Sequence, residues 1–144
     1  MAKNRNVGRH THADHRSGGA LDGRAPADLA DAGNSIPFVI EFAFSGATAE
    51  QPIYSANAPF KFKVIDAWVQ QTGGAGGAGD TALLDNGTTA ITDAMDMGSV
   101  ADGTVVHATT IDDAYATIAK DGSMDVTTAS SAVGTMTILC VRVA

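Results

Sequence analysis

The sequence has only one cysteine, Cys140, among its 144 residues, and only 6% of the residues are aromatic. One cysteine excludes an internal disulfide framework, and without a cysteine pair nothing nucleates a zinc site. No apolar run approaches the roughly 20 residues that a membrane-spanning helix needs. The N-terminal stretch MAKNRNVGRHTHADH also lacks the apolar segment of a secretory signal. We therefore expect a soluble chain that is made in a cytoplasm and does not enter a membrane.

The length is that of one domain. Apolar residues make up 44% of the chain, but many of them are alanines, so few large side chains remain to build a core. We therefore expect a modest core, stabilised by packing and by assembly with partners.

Charge is unevenly distributed along the chain. Residues 1–24 carry a formal charge of +3, so the rest must carry −10 to give the net charge of −7. Residues 1–34 are also rich in glycine and poor in large apolar side chains, so they cannot offset their own ordering entropy. We predict a flexible basic arm over residues 1–34, with a brief helix over residues 27–32, followed by one domain over residues 35–144. An acidic domain repels phosphates, which argues against nucleic-acid binding by that domain.

Residues 37–45 give the clearest strand signal. Phe38, Ile40, Phe42 and Phe44 alternate with smaller or polar residues, the period of a strand with one face on a core. Residues 60–71 begin with the same alternation and then change phase midway. A long strand that swaps its apolar face is expected to bend or carry a bulge, as strands do when they cross between two packed sheets.

Turn signals separate further short strands. Asn86-Gly87 lies between two apolar stretches and predicts a hairpin turn. Additional strands are predicted over residues 104–109, 123–128 and 134–143. Residues 111–120 are the one segment with a helical pattern. Seven or eight short strands and one short helix predict an all-β fold, an antiparallel β-sandwich and most simply a jelly roll.

The candidate sites for chemistry are weak. Gly74, Gly76 and Gly79 form a G-x-G-x-x-G pattern like that of a dinucleotide-binding loop. The Asn86-Gly87 turn follows too soon for the helix that such a site needs, so we interpret the segment as a mobile loop. His10, His12 and His15 lie on the predicted arm, which has no preorganised metal geometry. The aspartates of the domain have no EF-hand register and are interpreted as solvated loop caps: Asp93, Asp96, Asp102, Asp112, Asp113, Asp121 and Asp125.

Nucleophilic catalysis has no support in the sequence. The serines lack a G-x-S-x-G context, His107 is alone in a predicted strand, and Cys140 has no base close in sequence and is expected to be buried and inert. We expect no enzymatic activity and no cofactor.

Several segments together resemble one family. They are APFKFKVIDAWV at 58–69, the loop ending GDT at 79–81, Asn86-Gly87, AITDA at 90–94, TIDDA at 110–114, VTTA at 126–129 and LCVRV at 139–143. In these segments the chain resembles the head decoration, or cement, proteins of tailed bacteriophages, whose body is a jelly roll. The resemblance covers about residues 37–144 and supplies no active-site residue.

The resemblance implies a structural virion protein on the outer surface of the capsid, bound to major capsid protein subunits and synthesised in the host cytoplasm. The arm would then bridge neighbouring subunits, since thirty-odd extended residues reach on the order of 100 Å. Its basic residues suit carboxylates on a shell surface. We predict these arm contacts: Lys3, Arg5, Arg9, Arg16 and Arg24.

The domain is expected to form a closed oligomer, because both faces of residues 135–143 carry apolar side chains. A homotrimer is favoured and a homodimer stays open. The candidate core or oligomer contacts are Phe38, Phe42, Phe62, Trp68, Leu139 and Val141.

Two other functions stay open. The same sandwich is a candidate carbohydrate- or receptor-binding module, with a site in the Gly-rich and Asp-bearing loops. Alternatively, the basic arm contacts a packaged genome, although five basic residues do not require that.

Overall fold

The computed structural model describes residues 36–46 and 50–144. The predicted arm over residues 1–34, and the helix predicted within it, lie outside the described residues. Nine strands are present in the described part: β1 (Pro37–Ser45), β2 (Gln51–Tyr54), β3 (Phe62–Gln71), β4 (Thr81–Asp85), β5 (Met95–Asp96), β6 (Val105–His107), β7 (Thr117–Ile118), β8 (Met124–Ala129) and β9 (Val133–Arg142).

The strands form two antiparallel sheets. Sheet A has the order β1-β9-β3-β6, with β7 also paired to β3, and sheet B has the order β2-β8-β4-β5. The buried apolar side chains of both sheets belong to one cluster, so the core lies between them. The expectation of an all-β fold with two antiparallel sheets is confirmed.

Strand β3 changes its buried face where the sequence predicts. Phe62 and Val64 point into the core before the change, and Ala67 and Val69 do so after it. Ile65 is the extra residue, because Val64 pairs with Cys140 and Asp66 pairs with the next residue, Leu139. This bulge is confirmed, but β3 does not cross between sheets, since it pairs with β9 along its length.

The turn at Asn86-Gly87 is confirmed, with Gly87 at a φ of 89°. The Asn86 amide donates to the Thr89 carbonyl at 3.0 Å, and the Asn86 side-chain oxygen accepts from the Thr89 amide. The chain after the turn makes only isolated bridges, one of them between Asp85 and Ala90, rather than a second full strand.

The helix predicted over residues 111–120 is wrong. The Asp112 carbonyl accepts from the Tyr115 and Ala116 amides, but this single turn ends there. Thr117 and Ile118 then pair with Lys63 and Phe62 of β3. Pairing with a distant strand outweighs the local periodicity, because it buries Ile118 in the core and leaves Tyr115 outside it.

Within the described part of the chain, no helix is long and apolar enough to cross a membrane.

Candidate binding surfaces

The outer face of sheet A is divided into an apolar half and a polar half. Cross-strand pairing aligns Pro37 with Val141 and Val39 with Leu139, and the bulge presents Ile65 beside them. Val39 is 54% exposed and Ile65 is 46% exposed, which is unusual for large apolar side chains on a sheet face. We call this set the sheet A patch: Pro37, Val39, Ile65, Leu139 and Val141.

The polar half of the same face continues along the strands. Glu41, Thr137 and Trp68 are aligned across β1, β9 and β3, and His107 of β6 follows next to Trp68. The Trp68 and His107 rings lie 5.5 Å apart, and a His107 ring nitrogen lies 3.9 Å from an Asp66 carboxylate oxygen. On the β3 side, Lys63 and Asp66 pair with Val141 and Leu139, so polar groups border the patch there as well.

The six candidate core or oligomer residues fall on both faces of sheet A. Phe62 is fully buried, while Phe38 and Phe42 are half-buried and pack against the core. The Phe38 ring meets the Phe62 ring edge-on, with centroids 5.5 Å apart. Leu139 and Val141 lie on the outer face, in the sheet A patch, and Trp68 lies beside it. The five basic arm residues, like the three arm histidines, lie outside the described residues.

Cys140 is buried in the core, on the opposite face of β9 from the patch. Desolvation by burial raises the pKa of its thiol to about 12. A thiol held in its protonated form is a poor nucleophile, as expected from the sequence.

Several loop aspartates cap backbone amides. Asp93 accepts hydrogen bonds from the Thr109 and Thr110 amides at 2.9 and 3.0 Å and joins two loops in this way. Asp96 and Asp112 accept from Gly98 and Ala114, each two residues further along the chain. Over residues 36–46 and 50–144, no group of three His, Cys, Asp or Glu side chains is arranged to hold a metal ion.

The Gly-rich segment forms a loop that is anchored to its surroundings. The Gly76 amide donates to the Val100 carbonyl at 2.9 Å, and the Ser99 amide donates to the Gly76 carbonyl at 3.0 Å. A Cβ at Gly76 would lie 1.8 Å from the Met97 carbonyl oxygen, so only glycine fits there. Gly76 therefore serves close backbone packing, whereas Gly73, Gly74 and Gly79 have a positive φ that glycine adopts without strain.

An acidic depression lies on the outer face of sheet B, and sequence reasoning did not find it. It has a volume of about 450 Å³ and is lined in part by Glu50, Ser55, Ser123 and Asp125. The interpretation of Asp125 as a solvated loop cap is wrong, because Asp125 lies in β8 and is only 7% exposed. No local sequence pattern indicates that β8 pairs with β4. That pairing places Asp125 opposite Asp85.

Comparisons with known proteins give no family. Neither a scan against protein-family models nor a search of curated proteins found a match. Among solved structures, the chain matches one titled "Structure of infectious bursal disease virus Gx strain" at 15% identity and a TM-score of 0.31. The match covers 76% of this chain and 33% of the other, so this chain spans about a third of that chain's length. A likeness at this TM-score carries no argument about function.

Proposed function

We propose that this chain is a structural virion protein that decorates and cements a tailed-phage capsid by binding the outer surface of major capsid protein subunits. Its N-terminal arm bridges neighbouring subunits, and it acts by adhesion rather than by catalysis.

The strand order supports this proposal. The chain alternates between the sheets from β1 to β4 and again from β7 to β9, while β4 and β5 share sheet B and β6 and β7 share sheet A. The order β1-β9-β3-β6 thus faces the order β2-β8-β4-β5. This order fits a jelly roll, an architecture used by viral capsid domains and lectins. Because one fold serves many functions, the fold alone does not distinguish a capsid protein from a carbohydrate-binding protein.

The sheet A patch is the observation that carries the proposal. It is an apolar surface on a domain whose charged residues, among those described, are mainly acidic, and it is bounded by polar side chains. Patches of this kind mark protein interfaces. Pro37 of the patch lies three residues after the end of the segment predicted as the arm, so arm and patch can act on one partner surface together.

The same patch suits self-association. β1 is an edge strand of nine residues, and Val39 is exposed on it. A closed homotrimer, with a homodimer as the alternative, would cover part of this face while the arm reaches the shell.

Co-sedimentation with capsids that lack this chain tests the proposal. Val39→Asp places a charge in the patch, and the matched control Val105→Asp places the same charge on β6, at the other edge of sheet A. The two valines have comparable exposed fractions, 54% and 45%. We expect Val39→Asp to weaken capsid binding at least tenfold, because the charge is desolvated at the interface, and Val105→Asp to bind within about twofold of the unmodified chain.

Two results would contradict the proposal. One is that the unmodified chain does not sediment with capsids at all. The other is that Val39→Asp and Val105→Asp bind equally well, which would remove the patch from the interface.

A further inference from the structure

Two carboxylates face each other on the outer side of sheet B. Asp85 of β4 and Asp125 of β8 are cross-strand partners, so their side chains leave the sheet on the same side. Their neighbours Leu84 and Val126 are fully buried on the other side, in the core. Each aspartate is only 7% exposed, and like charges placed directly opposite one another destabilise a sheet.

The two aspartates differ in their hydrogen bonds. Asp85 accepts from the Gly87 amide at 2.8 Å and from the Thr127 hydroxyl at 2.7 Å, so both of its oxygens have donors. For the Asp125 carboxylate, no donor is found among the residues that the structure describes. Burial, followed by the charges of Asp85 and Glu50, raises the pKa of Asp125 above its ordinary value.

Asp125 opens into the acidic depression, which it lines together with Glu50, Ser55 and Ser123. None of the described lining residues is basic. A carboxylate that has no donor from the described residues and lies beside two further carboxylates is stabilised by a cation that enters from outside. The depression therefore favours a positively charged group over a neutral or negative one.

A side-chain cation fits this site better than a metal ion. No set of three metal-holding side chains exists in the described ranges. A guanidinium, in contrast, presents five donors in one plane and can bind a carboxylate with two hydrogen bonds. The volume of about 450 Å³ is ample for one such side chain.

Charge complementarity identifies the source of that side chain. Residues 1–24 carry a formal +3, against −10 for the rest of the chain. Of the four basic residues beyond position 24, Lys63 is paired with Asp113 at 2.9 Å and Arg142 lies over the Phe60 ring. The other two are Lys61 and Lys120. Most of the basic residues of the chain therefore lie in the segment that precedes the domain.

We propose that an arginine within residues 1–24, from the same or a neighbouring copy of this chain, binds the acidic depression and pairs with Asp125 and Glu50. Between copies, this contact would link domains side by side without any shell. It uses the same arm as the proposed capsid attachment, but it needs no capsid and is therefore tested without one.

The pKa of Asp125 in the full-length protein tests the proposal. It is measured by carboxyl NMR during a pH titration at low ionic strength, in the unmodified chain and in a variant with Lys3, Arg5, Arg9, Arg16 and Arg24 all replaced by Gln. A bound guanidinium favours the charged carboxylate, so we expect the pKa of Asp125 to be at least one unit lower in the unmodified chain. One unit is a tenfold change in proton affinity. The exposed Asp102 reports the general effect of the altered net charge and serves as the control.

The outcomes are distinct. A pKa difference at Asp125 that exceeds the one at Asp102 and shrinks with added salt supports the proposal, whether or not it depends on protein concentration. Dependence on concentration assigns the arginine to a neighbouring copy. Equal shifts at the two aspartates would overturn the proposal. So would calcium chloride moving the Asp125 resonance while the five arm substitutions leave it unchanged, since the occupant would then be a metal ion.

Discussion

Val39 of β1 and Leu139 of β9 pair across the two strands on the outer face of sheet A. The next pair, Ile40 and Ile138, lies on the opposite face, where Ile138 is fully buried in the core. The same two strands thus carry an apolar pair for folding and an apolar pair that faces outward. Substitutions on the inner face should therefore affect mainly stability, and substitutions on the outer face should affect mainly binding.

The two faces of β9 should respond differently to truncation. We expect Ile138→Ala to lower the free energy of unfolding by about 2–5 kcal/mol, because it leaves a cavity in the core. Leu139→Ala should cost less than about 1 kcal/mol, because Leu139 is only half-buried. Urea denaturation of the two variants measures both values. Equal large costs would place Leu139 in the folding core and weaken its assignment to a binding surface.

Gly134 should be needed for close packing inside β9. A Cβ at this position would lie 2.6 Å from the Gln70 carbonyl oxygen and 2.9 Å from the Phe44 ring. We expect Gly134→Ala to lower the free energy of unfolding by about 1–3 kcal/mol, because the strands must move apart. The neighbouring substitution Thr135→Ala, on the outer face, is the control and should cost less than about 1 kcal/mol. Equal stability of Gly134→Ala and the unmodified chain in urea would show that the gap accommodates a methyl group.

Cys140 should make stability fall at alkaline pH. Burial raises its pKa to about 12 in the folded chain, against an ordinary value of 9.0. Because the folded thiol keeps its proton after the unfolded thiol has lost it, its contribution is complete below pH 9 and is lost between about pH 9 and 12. We expect the stability difference between the unmodified chain and Cys140→Val to shift in favour of the valine variant over that range. Parallel stability curves from pH 8 to 11 would contradict this, as would reaction of the native thiol with a disulfide reagent at pH 8.

Asp93 should hold two loops together in a pH-dependent way. Desolvation alone would raise the pKa of Asp93, but hydrogen bonds from the Thr109 hydroxyl and from the Thr110 and Thr109 amides lower it below its ordinary value. A carboxylate with a lowered pKa stabilises the fold above its unfolded pKa, and that contribution is lost as the pH falls through the folded value. We expect Asp93→Ala to cost about 1 kcal/mol at pH 7, reduced by solvent screening, and less at pH 3. The exposed Asp102→Ala should cost little at either pH, and equal costs for the two variants at pH 7 would contradict the role of Asp93.

The sequence predicted the elements whose signal is local. Alternation at residues 37–45 defined β1 to the residue. The change of phase after Val64 predicted a bend or a bulge in β3, and the structure has the bulge at Ile65. The Asn86-Gly87 turn was predicted for the same reason, since glycine tolerates the positive φ that the turn requires.

The sequence failed where pairing with distant residues decides the structure. β5 and β7 have two residues each, too few to show any period, and β2 has four. Residues 111–120 have a helical spacing, but Ile118 pairs with Phe62, which is 56 positions earlier in the chain. The acidic depression was missed for the same reason: Asp125 faces Asp85 only through the register between β8 and β4.

The central claim is that this chain coats a capsid, and its copy number in purified particles tests that claim most directly. Quantitative mass spectrometry of virions from the virus that encodes the chain gives the ratio of the chain to the major capsid subunit. We predict a fixed stoichiometric ratio, with one copy for every one or few shell subunits. Absence of the chain from the particles, or only a handful of copies in each, would contradict the claim.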